Sequence, residues 1–120
     1  MTTAMREICA VIRSGAWRRT LLALEAAGFG AVTRQRAYGR GKQGGLRYGD
    51  GPEGIRLLPK WVLTLVVEDH DVEAAVAAIM TANRTGAIGD GKIFICPLGQ
   101  TISVRQEEHS SADMPLGALS

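Results

Sequence analysis

Three glycines, an aspartate and a lysine fall together in the stretch Thr85-Gly-Ala-Ile-Gly-Asp-Gly-Lys-Ile-Phe94, a composition suited to holding an anion. Gly86, Gly89 and Gly91 leave the backbone free to take positive φ and to bring N–H groups against a ligand. Lys92 adds an ammonium and Asp90 a carboxylate within the same turn. Gly86-x-x-x-x-Gly91-Lys92 has the spacing of a P-loop, but Ile93 stands where a magnesium-binding hydroxyl would follow. A P-loop also opens a helix, whereas Ile93-Phe94-Ile95-Cys96 reads as a strand. The P-loop reading is therefore rejected. A glycine-rich, lysine-bearing loop running into a strand remains, beside the plain alternative of a glycine turn.

Other residues offer less chemistry. Gly39-x-Gly41-x-x-Gly44 matches a dinucleotide fingerprint by letter and follows a strand, yet no helix starts in so glycine-rich a sequence. His70 and His109 are isolated among polar residues and read as surface. Glu107 and Glu108 read as a tail and not an acid/base dyad, since adjacent residues of an extended chain face opposite sides. Trp17 and Trp61 read as packing residues, and Arg34 and Arg36 as a solvated strand face. No Ser/His/Asp or Cys/His constellation calls for catalysis.

The elements that must position the loop follow from periodicity. Glu7 to Arg13 is an apolar, β-branched run of strand length. Ser14 is placed to cap the next helix, Ala16 to Ala27, where Trp17, Leu21, Leu24 and Ala27 recur at helical spacing and Gly28 ends it. Ala31 to Tyr38 is a weaker strand. Gly39 to Leu58 is too long and glycine-rich for anything but a functional or disordered loop. Lys60 to Val67 is a clear strand. Asp69 or Asp71 is placed to cap a helix carrying Val72, Ala75, Val76, Ile79 and Met80 on one face. After the glycine loop come a strand, Lys92 to Cys96, and a short alternating strand, Thr101 to Arg105. Residues 106–120 form a polar tail.

The order is βαβ, long loop, βαβ, which describes an α+β, ferredoxin-like sandwich with both helices on one face of an antiparallel sheet. The other sheet face then needs a cover, and self-association is the simplest. At 120 residues the chain is expected to be one domain, with a core over about 5–107 and a tail over 108–120. Its 46% hydrophobic content supports a core, while 14 basic and 12 acidic residues are too balanced to imply nucleic acid. Cys9 and Cys96 lie in apolar runs and read as buried thiols of a cytoplasmic protein. No apolar run reaches membrane-spanning length.

Taken in order, these residues resemble the P-II nitrogen-regulatory signalling proteins. The glycine loop is similar to the second signature of that family. The Gly-Arg-Gly-Lys-Gln entry to the long loop, the Leu58-Pro59-Lys60 exit and the closing Ser103-Val-Arg105 also match. The resemblance runs over about Met5 to Glu107. The segment 39–44, the short loop, and Asn83-Arg-Thr-Gly with Ile95-Cys96-Pro97 look most like the nitrogenase-associated branch.

The resemblance implies a non-enzymatic trimer, formed with itself or with a P-II paralogue, that binds ATP or ADP, Mg²⁺ and 2-oxoglutarate in clefts between subunits. It also implies control of a target such as nitrogenase or an ammonium transporter through a mobile T-loop, here about 39–58. Carried over by position, Gly89, Asp90, Gly91 and Lys92 would hold the phosphates, Thr85 would belong to the same nucleotide site, Gly39, Gly41 and Lys42 would line the T-loop side, and Val11 and Thr33 would flank the base. Gln43 would coordinate magnesium and contact 2-oxoglutarate, Lys60 would pair with a 2-oxoglutarate carboxylate, and Arg105 would reach a phosphate from the neighbouring subunit. Ser103 replaces the first of two usual arginines, on the face of the last strand that Arg105 shares. Tyr48 lies displaced from the modified tyrosine of uridylylated members, so covalent switching there is not expected. Three readings compete with this one: a small ferredoxin-like nucleotide hydrolase using Lys92, a P-II-like sensor of another metabolite, and an RNA-binding module. The last is disfavoured by the absence of paired aromatics on one strand.

Overall fold

The computed structural model describes residues 4–39, 46–47, 55–105 and 109–110. Strand β1 (Met5–Arg13) leads through a short 3₁₀ turn into α1 (Trp17–Ala26), then β2 (Thr33–Gly39). Two short strands, β3 (Leu46–Arg47) and β4 (Ile55–Arg56), pair with each other. Then follow β5 (Leu58–Glu68), a second 3₁₀ turn, α2 (Val72–Asn83), β6 (Lys92–Pro97), and the paired short strands β7 (Thr101–Ile102) and β8 (His109–Ser110). The main sheet has the order β2-β5-β1-β6 with every pairing antiparallel. This is the ferredoxin-like α+β arrangement expected from the element order.

Alternation along the strands decides which face is covered. Ile8, Ala10 and Ile12 of β1 and Leu63, Leu65 and Val67 of β5 are buried together with Ala16, Leu24, Ala75 and Ile79. Each of the large aliphatic chains contributes about 1.5–3 kcal/mol by leaving water. The residues between them, such as Cys9 and Val66, face the other side, where Val66 is 44% and Phe94 49% exposed. Cys96 lies on that uncovered face and is exposed, and Cys9 is only half-buried, so the expectation of two buried thiols is corrected. Cys9 and Cys96 share the strand parity that points away from the helices, opposite to Ile8 and Ile93.

The expected helix caps also need correction. Neither Ser14 nor an aspartate caps with its side chain; a 3₁₀ turn precedes each helix instead. The Ser14 carbonyl accepts from Trp61 Nε1 at 3.0 Å, and the Asp69 carboxylate accepts from Arg6 Nε at 2.8 Å. Gly28, with φ +96°, ends α1 as expected. The last strand is shorter than its alternation suggests. It stops at Ile102, and Val104 and Arg105 form a turn before β8. The parity that would put Ser103 and Arg105 on one strand face therefore does not apply. The segment 40–45, most of the T-loop and most of the tail lie outside the described residues.

Candidate functional site

The loop between α2 and β6 is pinned at its start by buried polar contacts. Asn83, the last residue of α2, donates through Nδ2 to Thr20 Oγ1 of α1 and to the Ile79 carbonyl, both at 2.9 Å. Thr20 in turn donates to the Ala16 carbonyl at 2.7 Å, and Arg19 Nε donates to the Ala82 carbonyl at 2.7 Å. The two helices thus fix where the loop leaves α2.

Asp90 then gathers the loop. Its carboxylate accepts from the Thr85 hydroxyl, from Thr85 N–H at 2.8 Å, from Gly86 N–H at 3.0 Å and from Arg13 Nη1 at 2.6 Å. Arg13 Nη2 also donates to the Ile88 carbonyl at 2.8 Å, tying the loop to the end of β1. The Thr85 hydroxyl accepts from Ala87 N–H at 3.1 Å. These donors, the Thr85 hydroxyl foremost and Arg13 among them, hold the Asp90 carboxyl far below the ordinary carboxylate range.

The linkage has a definite sign. A carboxyl lowered by folding stabilises the fold above its unfolded value, near 4, and loses that contribution as pH falls. On acidification below about pH 4, the unaltered chain should lose stability faster than Asp90→Asn, so that their urea midpoints approach one another. Midpoints that stay parallel from pH 7 to pH 2 would show that the Asp90 contacts do not form.

The glycines do separate work. Gly86, Gly89 and Gly91 take φ of +83°, +99° and +112°. A methyl group on Gly91 would drive into the carbonyl oxygen of Val11, whereas one on Gly86 would meet nothing. Gly91 is thus the residue that lets the loop lie against β1. Beyond it the chain enters β6, not a helix, in agreement with the rejection of a P-loop.

Lys92 opens β6 in register with Val11. Its side chain is exposed, and its ammonium lies 6.0 Å from the Phe94 ring centroid. Among the described residues no carboxylate pairs with it, because Asp90, the loop's one acid, is held by Arg13. The loop therefore keeps a net cation at its rim. Val11, Asp90, Gly91 and Lys92 also border a cleft of about 280 Å³ closed on its helix side by Ile79, Met80 and Asn83.

The other expected site residues are spread more widely. Lys60 lies in register with Arg13, beside the loop's anchor. Thr33, opposite Thr64, and Gly39, opposite Leu58, lie on β2 at the far edge of the sheet from β6. Arg105, in the turn after β7, makes no hydrogen bond or ion pair with the loop among the described residues. Gly41, Lys42 and Gln43 lie outside those residues. Arg13 is the participant that sequence reasoning missed. Its signal was its parity with Val11, two residues earlier on the same strand. His70 is less isolated than expected, with Nε2 3.0 Å from Glu68 and 3.6 Å from Asp71, but all three groups are solvated.

The comparisons with known proteins match nearly the whole chain, this loop included. The family model described as nitrogen regulatory protein P-II aligns with residues 5–108. The chain belongs to the P-II family. That family consists of regulatory signalling proteins, not enzymes, and its members are oligomers that bind effector ligands. Among its relatives, the "nitrogen fixation nifHD region glnB-like protein 2" of Methanococcus maripaludis is 42% identical, over 90% of this chain and 98% of that protein. The protein of the same description from Methanobacterium ivanovii is 39% identical, over 87% of this chain and 94% of that one. These names are those of the nitrogenase-associated P-II branch. The crystal structure of Arabidopsis thaliana PII bound to citrate superposes with a TM-score of 0.75 at 27% identity, covering 93% of this chain and 94% of that one. The chain is thus a P-II-type nitrogen signalling regulator with the ferredoxin-like fold. Among the described residues no helix is long and apolar enough to cross a membrane.

Proposed function

We propose that this P-II protein is a cytoplasmic sensor that binds ATP or ADP with Mg²⁺ and 2-oxoglutarate, and that it controls nitrogenase or a nitrogen-assimilation protein through its T-loop. The observation that carries this reading is the Lys92 ammonium, without a carboxylate partner among the described residues, at the rim of a loop whose single carboxylate is already neutralised by Arg13. An unpaired ammonium beside a glycine-rich backbone favours a polyphosphate.

In this reading Gly89, Gly91 and Lys92 face the phosphates. Asp90 and Thr85 serve by shaping the loop, since their side chains are engaged with each other. Val11 and Thr33 flank the base, Gly39, Gly41 and Lys42 line the T-loop side, and Arg105 comes from a neighbouring subunit. Gln43 would hold Mg²⁺ through its amide oxygen, the metal supplying positive charge for phosphate and keto-acid oxygens, and Lys60 would pair with a carboxylate of 2-oxoglutarate. That the Arabidopsis protein is bound to citrate supports a scaffold that accepts polycarboxylates. The exposed Val66 and Phe94 on the uncovered sheet face support assembly into a trimer, with itself or with a P-II paralogue.

The shared metal gives the test. Titrated into the full chain, 2-oxoglutarate should bind when ATP and Mg²⁺ are both present and show no measurable heat when either is left out. Equal affinity without nucleotide would contradict the shared-metal arrangement.

A further inference from the structure

A second cationic feature lies across the sheet from the glycine loop. The Arg34 guanidinium carbon is 4.3 Å from the ring centroid of Trp17 and 4.2 Å from that of Trp61, so one cation contacts both indoles. The Arg36 guanidinium lies 4.6 Å from the same Trp61 ring. The register explains the meeting. Arg36 stands opposite Trp61 and Arg34 opposite the buried Leu63, so both arginines rise on the helix side of β2. The Trp61 indole is fixed by its hydrogen bond to the Ser14 carbonyl, and Trp17 at the start of α1 lies 6.3 Å from it between centroids. These arginines are therefore not the freely solvated row expected from the sequence.

A guanidinium held over an indole by cation–π attraction keeps N–H groups for a further acceptor. Arg34 and Arg36 are exposed, and among the described residues no carboxylate pairs with either. Packing against the indoles restricts both side chains, so less entropy is lost when an anion is gripped. The two sit one strand repeat apart, roughly 6.6–6.8 Å along β2. Alternate side chains of an extended polypeptide have the same repeat.

We propose that this arginine–tryptophan face is a docking site for an extended acidic segment of a partner protein, with carboxylates at alternate positions meeting Arg34 and Arg36. The site is separate from the glycine loop and does not depend on nucleotide binding there. It gives a P-II protein a second point of contact with its target.

The chain's two tryptophans both lie in this face, so intrinsic fluorescence reports on it directly. The probe is a tryptophan-free octapeptide with glutamate at alternate positions, compared with the same peptide carrying glutamine instead. The glutamate peptide should change the fluorescence saturably, bind more weakly as salt is raised, and lose at least about tenfold in affinity to the Arg34→Gln/Arg36→Gln protein. Arg34→Lys/Arg36→Lys, which keeps the charge and loses the fork, should fall between the two. Equal binding of the glutamine peptide to the unaltered protein would overturn the proposal, and needs no variant to fold. So would equal binding of the glutamate peptide to the glutamine variant, or its displacement by inorganic phosphate or ATP at matched ionic strength, which would mark a small-anion site.

Discussion

Gly91→Ala should unseat the glycine loop, at a cost of about 3–5 kcal/mol in stability, the range for a substitution that combines backbone strain with a steric clash. At φ +112° a residue with a side chain is strained wherever it points, and here the new methyl group would drive into the Val11 carbonyl oxygen. That oxygen belongs to a central strand paired on both sides, so it cannot yield without disturbing β5 or β6. Gly86→Ala is the matched control. It carries the strain of φ +83° but meets no neighbour, and should cost about 1 kcal/mol. Urea unfolding of the three proteins measures both effects. A Gly91→Ala protein as stable as the Gly86→Ala protein would mean that the loop does not lie against β1.

Lys92→Ala should leave the fold intact and strip the site of its attraction for phosphate. The side chain is exposed and its ammonium lies 6.0 Å from the Phe94 ring centroid, so stability has little to lose. Removing one charge-assisted phosphate contact should weaken ATP binding by about 1.5–3 kcal/mol, roughly tenfold to somewhat over a hundredfold. Titration calorimetry against a folded variant reads this directly. ATP affinity unchanged by the substitution would remove Lys92 from the site.

The sheet and helices were legible because burial enforces them. Ile8, Ala10 and Ile12 alternate with half-exposed residues, and Ala75 and Ile79 recur at helical spacing, so few folds can bury all five. The direction of the glycine loop was equally plain, since the β-branched and aromatic run after Lys92 cannot continue as a helix. What escaped were contacts made across long sequence separations. Nothing local in Arg13 announces Asp90, and nothing local in Arg34 announces Trp17 and Trp61. Each pairing depends on strand register, which a single sequence constrains only through parity. The helix starts were misread for a related reason. Ser14 and Asp69 are good capping residues, but each falls inside a 3₁₀ turn ahead of its helix, and the Asp69 carboxylate is engaged by Arg6. The end at Arg105 was misread because alternation over so few residues does not separate a strand from a turn.

In the proposed function the Thr85–Lys92 loop is a polyphosphate site. Calorimetric titration of the unaltered full chain with ATP, and separately with AMP, tests it most directly. The expected result is saturable ATP binding at one nucleotide per chain, weakened by added salt, with AMP held less tightly because it presents fewer charges to Lys92. No detectable ATP binding at millimolar concentration, or equal affinity for ATP and AMP, would contradict it.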